Sequence, residues 1–213
     1  WVKPGWYYGC GEFGAEGLDP VKTMYKYYPK TWLPENNADG KNWTADSIYA
    51  AQTQRFHYMR YPTQHSLKDW VEMSQAHQSW AIKTTAEAFR RDTNMVTQAV
   101  HLFIDAWPAG WMKAIMDVDR NPKKAFFAYR NALKPVIISL RTDRNHFFSG
   151  EKTHIETWLC NDLNTKPVNA RILYQLEHNG KVISSGSSMA DVPVNSAFFQ
   201  GYFSLIAPVV KKR

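Results

Sequence analysis

One segment of the chain concentrates chemistry-bearing residues: Gly9-Cys10-Gly11-Glu12-Phe13-Gly14-Ala15-Glu16-Gly17-Leu18. It follows the compact aromatic stretch Trp6 to Cys10, which reads as a strand running into a glycine-rich turn. Glu12 then sits at a strand end between Gly11 and Gly14, where the lack of side chains lets a ligand approach the backbone. Four aromatic residues follow, Tyr25, Tyr27, Tyr28 and Trp32. A carboxylate in an aromatic-walled cleft suits sugar chemistry. Aromatic rings stack on the C–H faces of pyranoses, and a carboxylate can attack or stabilise an oxocarbenium-like centre. The same residues leave a plainer role open, in which Glu12 caps a following helix. Glu16, four residues on, reads as a carboxylate at the start of that helix, where the dipole favours it.

Two kinds of element must position these residues, and they change near Pro135. Before it, helix signals alternate with short apolar runs. Ser47 to Tyr61 has helical spacing and ends at Pro62. Ser66-Leu67-Lys68-Asp69 predicts a helix N-cap. Trp70, Met73, His77, Trp80, Thr84 and Ala88 then predict one apolar face of a long helix ending near Arg91. Ala99 to Ile104 is a continuous run, as expected of a strand covered on both faces. Asn121-Pro122 reads as a cap with proline at the first helical position, and Phe126, Tyr129 and Leu133 continue that helix. Such alternation belongs to a parallel α/β sheet or barrel. In a barrel, catalytic groups project from the strand C-termini. After Pro135 the pattern is β: Val136–Leu140, Thr153–Cys160, Val168–Glu177, Lys181–Ser185 and Ala197–Ile206, with a hairpin at Asn179-Gly180. About six short strands suggest a sandwich short of the roughly seven of an immunoglobulin-like domain. The expected domains are residues 1–135 and 136–213.

Composition removes several classes. In 213 residues, 44% are hydrophobic and 21% charged, which excludes a wholly disordered chain. No apolar run approaches the roughly 18 residues of a membrane span. Cys10 and Cys160 cannot form a disulfide framework or a cysteine-rich zinc site, and they fall in different expected domains. His57, His65 and His77 lack metal-ligand spacing. A net charge of +7 with 15% aromatic residues fits either a sugar cleft or a single-stranded nucleic-acid surface. The aromatic residues are not interleaved with Lys and Arg on one β platform, so no nucleic-acid partner is expected. Asn42-Trp43-Thr44 fits a glycosylation triplet, which carries meaning only in a secretory context. The first residues show no signal-peptide pattern. The chain opens near a strand and stops just after one, so the expectation is a piece of something longer.

Three motifs in order carry a resemblance. Gly11-Glu12-Phe13-Gly14-Ala15-Glu16-Gly17 resembles the nucleophile segment of glycoside hydrolase family 2, which includes β-galactosidases, β-glucuronidases and β-mannosidases. His101-Leu102-Phe103-Ile104-Asp105 sits where that family's eighth strand carries Trp-x-x-x-Asp. Asp119-Arg120-Asn121-Pro122-Lys123-Lys124-Ala125 is similar to the family's Asp-Arg-x-Pro-Lys run. The resemblance implies the C-terminal β/α units of a TIM barrel, about strands seven and eight, followed by a partial immunoglobulin-like β-sandwich.

It also implies that Glu12 is the nucleophile of a retaining glycoside hydrolase acting on β-glycosidic bonds. The family's acid/base is a Glu after an Asn. No Asn-Glu dipeptide occurs here, so that group is expected outside these residues, and the piece alone is expected to be inactive and to fold poorly. His101, Asp105 and Trp107 are the implied substrate-binding residues. His101 replaces the family's Trp, and either hydrogen-bonds a sugar hydroxyl or is a core histidine. Trp107 can take over the stacking, with Trp111 on the same rim. The expected partners are a carbohydrate substrate and the rest of the barrel, with no membrane, cofactor or metal. The compartment and oligomeric state stay open, and a polysaccharide substrate would point to a secreted or periplasmic setting. A non-catalytic carbohydrate-binding or scaffolding protein is the alternative.

Overall fold

The computed structural model describes residues 3–35, 43–49, 64–108 and 112–209. It divides into two compact units, Trp1–Phe89 with Asn94–Leu133, and Arg90–Thr93 with Lys134–Arg213. The first is mixed α/β. Strand β1 (Tyr8–Phe13) leads through an irregular stretch to helix α1 (Val21–Tyr27). Helix α2 (Leu67–Arg91) crosses over to β2 (Met95–Val100), and α3 (Lys124–Ala132) closes the unit. β1 and β2 pair in parallel, Tyr8 opposite Met95 and Phe13 opposite Val100.

The predicted cap of α2 is present: the Asp69 backbone N–H donates to Ser66 Oγ at 3.1 Å. Its buried face differs from the predicted one. Trp70 is fully buried, but Trp80 is 49% exposed. The buried line runs through Leu67, Trp70, Ser74, Gln78, Ile82 and Ala86. It is partly polar because it packs on irregular backbone that needs hydrogen-bond partners. The Leu18 N–H donates to Ser74 Oγ at 3.1 Å, and Gln75 Nε2 donates to the Leu18 carbonyl at 2.9 Å. Gln78 Nε2 reaches the carbonyls of Ala15, Lys113 and Ala114 at 3.0, 3.0 and 3.1 Å. Apolar periodicity cannot register a face of this kind.

Three further expectations change. β2 begins at Met95 and ends at Val100, so His101 to Ile104 form a loop and not the strand's end. The ladder with β1 sets those limits. Nor is β2 covered on both faces, since Val96 is 65% exposed. Helix α3 starts at Lys124 after an N-cap at Lys123, not at Pro122. Pro122 is instead held in a bridge to Met116, and the Asn121 N–H donates to Asp117 Oδ1 at 2.7 Å. No helix follows Glu12 directly: residues 14–20 are irregular and α1 begins at Val21. Glu12 therefore caps nothing, and Glu16 does not start a helix. The helix expected from Ser47 to Tyr61 lies almost wholly outside the described residues; Ser47 ends a 3-10 turn, Ala45–Ser47, and Ile48 and Tyr49 after it are not helical. His57, Asn42 and Trp111 also lie outside them.

Two apolar clusters build the first unit. One gathers Leu18, Met24, Tyr28, Leu33, Trp43, Ile48, Leu67 and Trp70. In the other, Phe13 and Val100 from the strand ends pack with Ile82, Ile115 and Ala125. The Phe13 ring meets Phe89 and Tyr129 edge-on at 5.4 and 5.9 Å.

The second unit is antiparallel. β3 (Val136–Arg141), β4 (Lys152–Asn161) and β7 (Ser196–Ile206) form one sheet in the order β3-β4-β7. β5 (Arg171–His178) and β6 (Lys181–Met189) form a hairpin. Its turn is Asn179-Gly180 with φ of 50° and 74°, the left-handed pair that matches strand twist. Tyr174 of the hairpin stacks on Phe203 of the sheet at 3.9 Å. The described residues hold five strands here, not six, because 142–151 and 162–170 are turns and bends.

Gln78→Leu keeps the side-chain volume but strips three carbonyls of their donor. We expect a loss of about 2–4 kcal/mol in stability, read as a lower urea midpoint at unchanged slope.

Candidate active site

The parallel ladder brings two of the sequence-derived residues together. Glu12 stands near the C-terminal end of β1, and His101 directly follows β2. The His101 N–H donates to the Phe13 carbonyl at 2.8 Å, extending the ladder by one bond. That places His101 Nδ1 4.0 Å from Glu12 Oε1. The Glu12 side chain is 75% exposed and that of His101 28%. His101 is thus neither a fully buried core residue nor free on the surface. Two glycines permit close approaches in the stretch after Glu12. A Cβ at Gly14 would overlap the His101 carbonyl oxygen, and one at Gly17 would overlap the Gln78 side chain.

Asp105 and Trp107 are placed differently. Asp105 is only 5% exposed, and its carboxylate Oδ2 lies 3.7 Å from Lys123 Nζ. Trp107 is 77% exposed in the same loop. Both oxygens of Glu16 are buried, so Glu16 does not share the exposed surface of Glu12. Of the tyrosines in and just after α1, Tyr25 lines a cavity with Lys30, Thr31, Leu33, Pro34 and Glu35, a lining that does not include Glu12. Tyr28 donates to Asp19 Oδ2 at 2.9 Å, Tyr25 to the Pro34 carbonyl at 3.0 Å, and Tyr27 to Asp119 Oδ1 at 2.6 Å. Their hydroxyl groups brace α1 and its surroundings.

The loops that follow β1 and β2 share a buried charge cluster that residue patterns do not reveal. The Lys123 side chain has no exposed area. Its ammonium lies 2.9 Å from Asp19 Oδ1 and donates to the Gly17 carbonyl at 3.0 Å. With Asp105 it ties the loop after β1 to the loop after β2. Asp117, also fully buried, accepts from Thr23 Oγ1 at 2.6 Å and from Asn121 Nδ2 at 2.9 Å. The motif run from Asp119 to Lys123 therefore braces the site: Asp119 pairs with Lys26 at 2.8 Å, and Lys123 holds the loops. The run itself was the only signal for these roles, since a lysine beside a helix start normally reads as solvated.

Burial pushes the Asp105 carboxyl up from 3.8 to about 6. Lys123 opposes the rise, while Asp19 and Asp117 add to it. Among the described residues, no group of three or more His, Cys, Asp or Glu side chains is arranged to hold a metal ion.

No family model matches this sequence, and no curated protein matches it. Among solved structures, 17 chains match. One is the crystal structure of the β-D-mannosidase from Dictyoglomus thermophilum, with a TM-score of 0.63 and 18% identity. The match covers 91% of this chain and 23% of that one, so this chain spans about a quarter of the enzyme's length. At that identity the likeness concerns the fold: this chain is folded like a part of that enzyme.

The Asp105 shift has a signed consequence. Below about pH 3.8 the carboxyl is protonated whether the chain is folded or not, and burial costs nothing. As pH rises towards 6 the unfolded chain ionises first, so folding loses stability, and the loss is complete above about 6. The full swing is about 3 kcal/mol. Asp105→Asn should therefore gain stability relative to the parent chain as pH rises from 4 to 6.5. Paired denaturation curves across that range measure this. A constant difference would contradict it.

Proposed function

We propose that the chain is part of a retaining glycoside hydrolase acting on β-glycosidic bonds, with Glu12 as nucleophile. The observation that supports it best is the exposed Glu12 carboxylate near a parallel strand's C-terminal end, with His101 Nδ1 at 4.0 Å. The fold likeness to part of a β-mannosidase supports the same reading. In this reading the two units are the last β/α units of a barrel and the start of an immunoglobulin-like sandwich.

The Glu12 oxygen attacks the anomeric carbon as the glycosidic C–O bond breaks. The leaving oxygen takes a proton from a second carboxylic acid about 5–5.5 Å from the first. Water, deprotonated by that same group, then cleaves the glycosyl ester with retained configuration. Buried Glu16 is unsuited to that task, and we assign it to a residue outside these 213. His101 orients the Glu12 carboxylate or a sugar hydroxyl beside it, and exposed Trp107 offers a stacking face. Asp105 acts through Lys123, as a positioning residue for the two loops. The alternative of a non-catalytic carbohydrate-binding protein draws on one feature, the absence of a second exposed carboxylate in the Gly11–Gly17 segment.

The gene product containing this segment should be treated with 2-deoxy-2-fluoro β-glycosides of the manno, gluco and galacto series. Peptide mapping should find the label on Glu12, and Glu12→Gln should abolish labelling. Label on another residue refutes the assignment. Glycan binding without any label supports the non-catalytic alternative.

A further inference from the structure

We propose that the second unit carries its own binding site for a neutral saccharide, on the β3-β4-β7 sheet and independent of Glu12. A cavity of about 330 Å³ opens there, lined among others by Arg141, Asp143, Lys152, His154, Glu156 and Tyr202. That volume is at the small end of ligand sites, which run from about 300 to 1,000 Å³. Its floor is set by register. Arg141 is directly opposite Glu156, and Glu156 directly opposite Tyr202. Directly opposed residues share a face of the sheet, so a guanidinium, a carboxylate and a phenol ring stand in one row.

Each member of that row is held. Arg141 Nη1 donates to both Glu156 oxygens, at 3.0 and 3.1 Å. The Trp158 indole N–H donates to Glu156 Oε2 at 3.1 Å. These donors, the indole first, keep the Glu156 carboxyl below its usual range, as an ionised acceptor. It accepts three hydrogen bonds, against about four lone-pair sites in a carboxylate. The Arg141 fork has further N–H groups beyond Nη1. Tyr202 meets His154 and Phe199 edge-to-face, at 6.2 and 5.2 Å, yet is 61% exposed. His154 Nδ1 shares a hydrogen bond with Ser204 Oγ at 2.9 Å, which leaves Nε2 for another partner.

This set selects a polyol over an anion. An anion needs donors only; it would meet Arg141, Arg144 and Lys152, two of them already paired with Glu156 and Glu151, and would face Asp143 and Glu156 as well. A sugar hydroxyl both donates and accepts, so fixed donors and acceptors side by side suit it. The ring of Tyr202 supplies the apolar surface that a pyranose C–H face needs, with a polar tip beside it.

The test uses the Glu12→Gln form of the full gene product, so that turnover does not interfere. Neutral β-linked manno- and gluco-oligosaccharides are titrated by calorimetry or ligand-observed NMR. We expect Tyr202→Ala to weaken binding about tenfold. Arg141→Lys, which keeps the charge but loses the fork, should weaken it several-fold. Should Tyr202→Ala fail to fold by circular dichroism, Arg141→Lys decides the matter. Binding equal in both variants and the parent overturns the proposal. So does the absence of saccharide binding at millimolar concentration. Binding of inorganic sulfate in place of sugar overturns it in favour of an anion site. Failure of the Glu12 assignment would appear in the labelling experiment, and as turnover of the oligosaccharides by the Glu12→Gln form, whereas failure of this proposal appears as binding that the sheet variants do not change.

Discussion

Lys123 places a positive charge where water does not reach. Such a charge is tolerated only when it is paired and hydrogen-bonded, and removing one partner of a buried pair costs about 3–5 kcal/mol. Here the partners are Asp19, Asp105 and the Gly17 carbonyl. They come from the loop after β1 and the loop after β2, while Lys123 itself precedes α3. Two irregular segments are thereby fixed to one helix start.

The same logic explains helix α2. Irregular backbone leaves N–H and C=O groups that regular structure would have paired. Ser74, Gln75 and Gln78 meet them from the buried face of the helix. Polar side chains in this interior serve the loops, and apolar clusters on either side supply the burial.

Much of this organisation was readable in the sequence, for identifiable reasons. Ser66 and Asp69 announce the start of α2 because capping is local chemistry. Asn179-Gly180 announces the hairpin because few dipeptides adopt its two left-handed conformations. Glu12 and His101 stood out through motif order, and the ladder brings them together. What stayed hidden depends on tertiary partners. The polar face of α2 has no hydropathy period, so periodicity points Trp80 inward and gives no sign of Gln78. Lys123 and Asp19 carry charges that usually point to water. The limits of β2 follow from its pairing with β1, and no property of Ala99–Ile104 alone gives them.

The register of β1 against β2 slips between Cys10 and Phe13, where the first strand spends three steps on the second strand's two. Glu12 lies within that slip and is largely exposed, while Phe13 beside it packs against a core cluster. Exposure and packing thus fall to adjacent residues. A carboxylate that bears no packing can be exchanged in evolution without dismantling the strand that presents it. This scaffold can therefore lose or regain a carboxylate at one position while its shape is inherited unchanged.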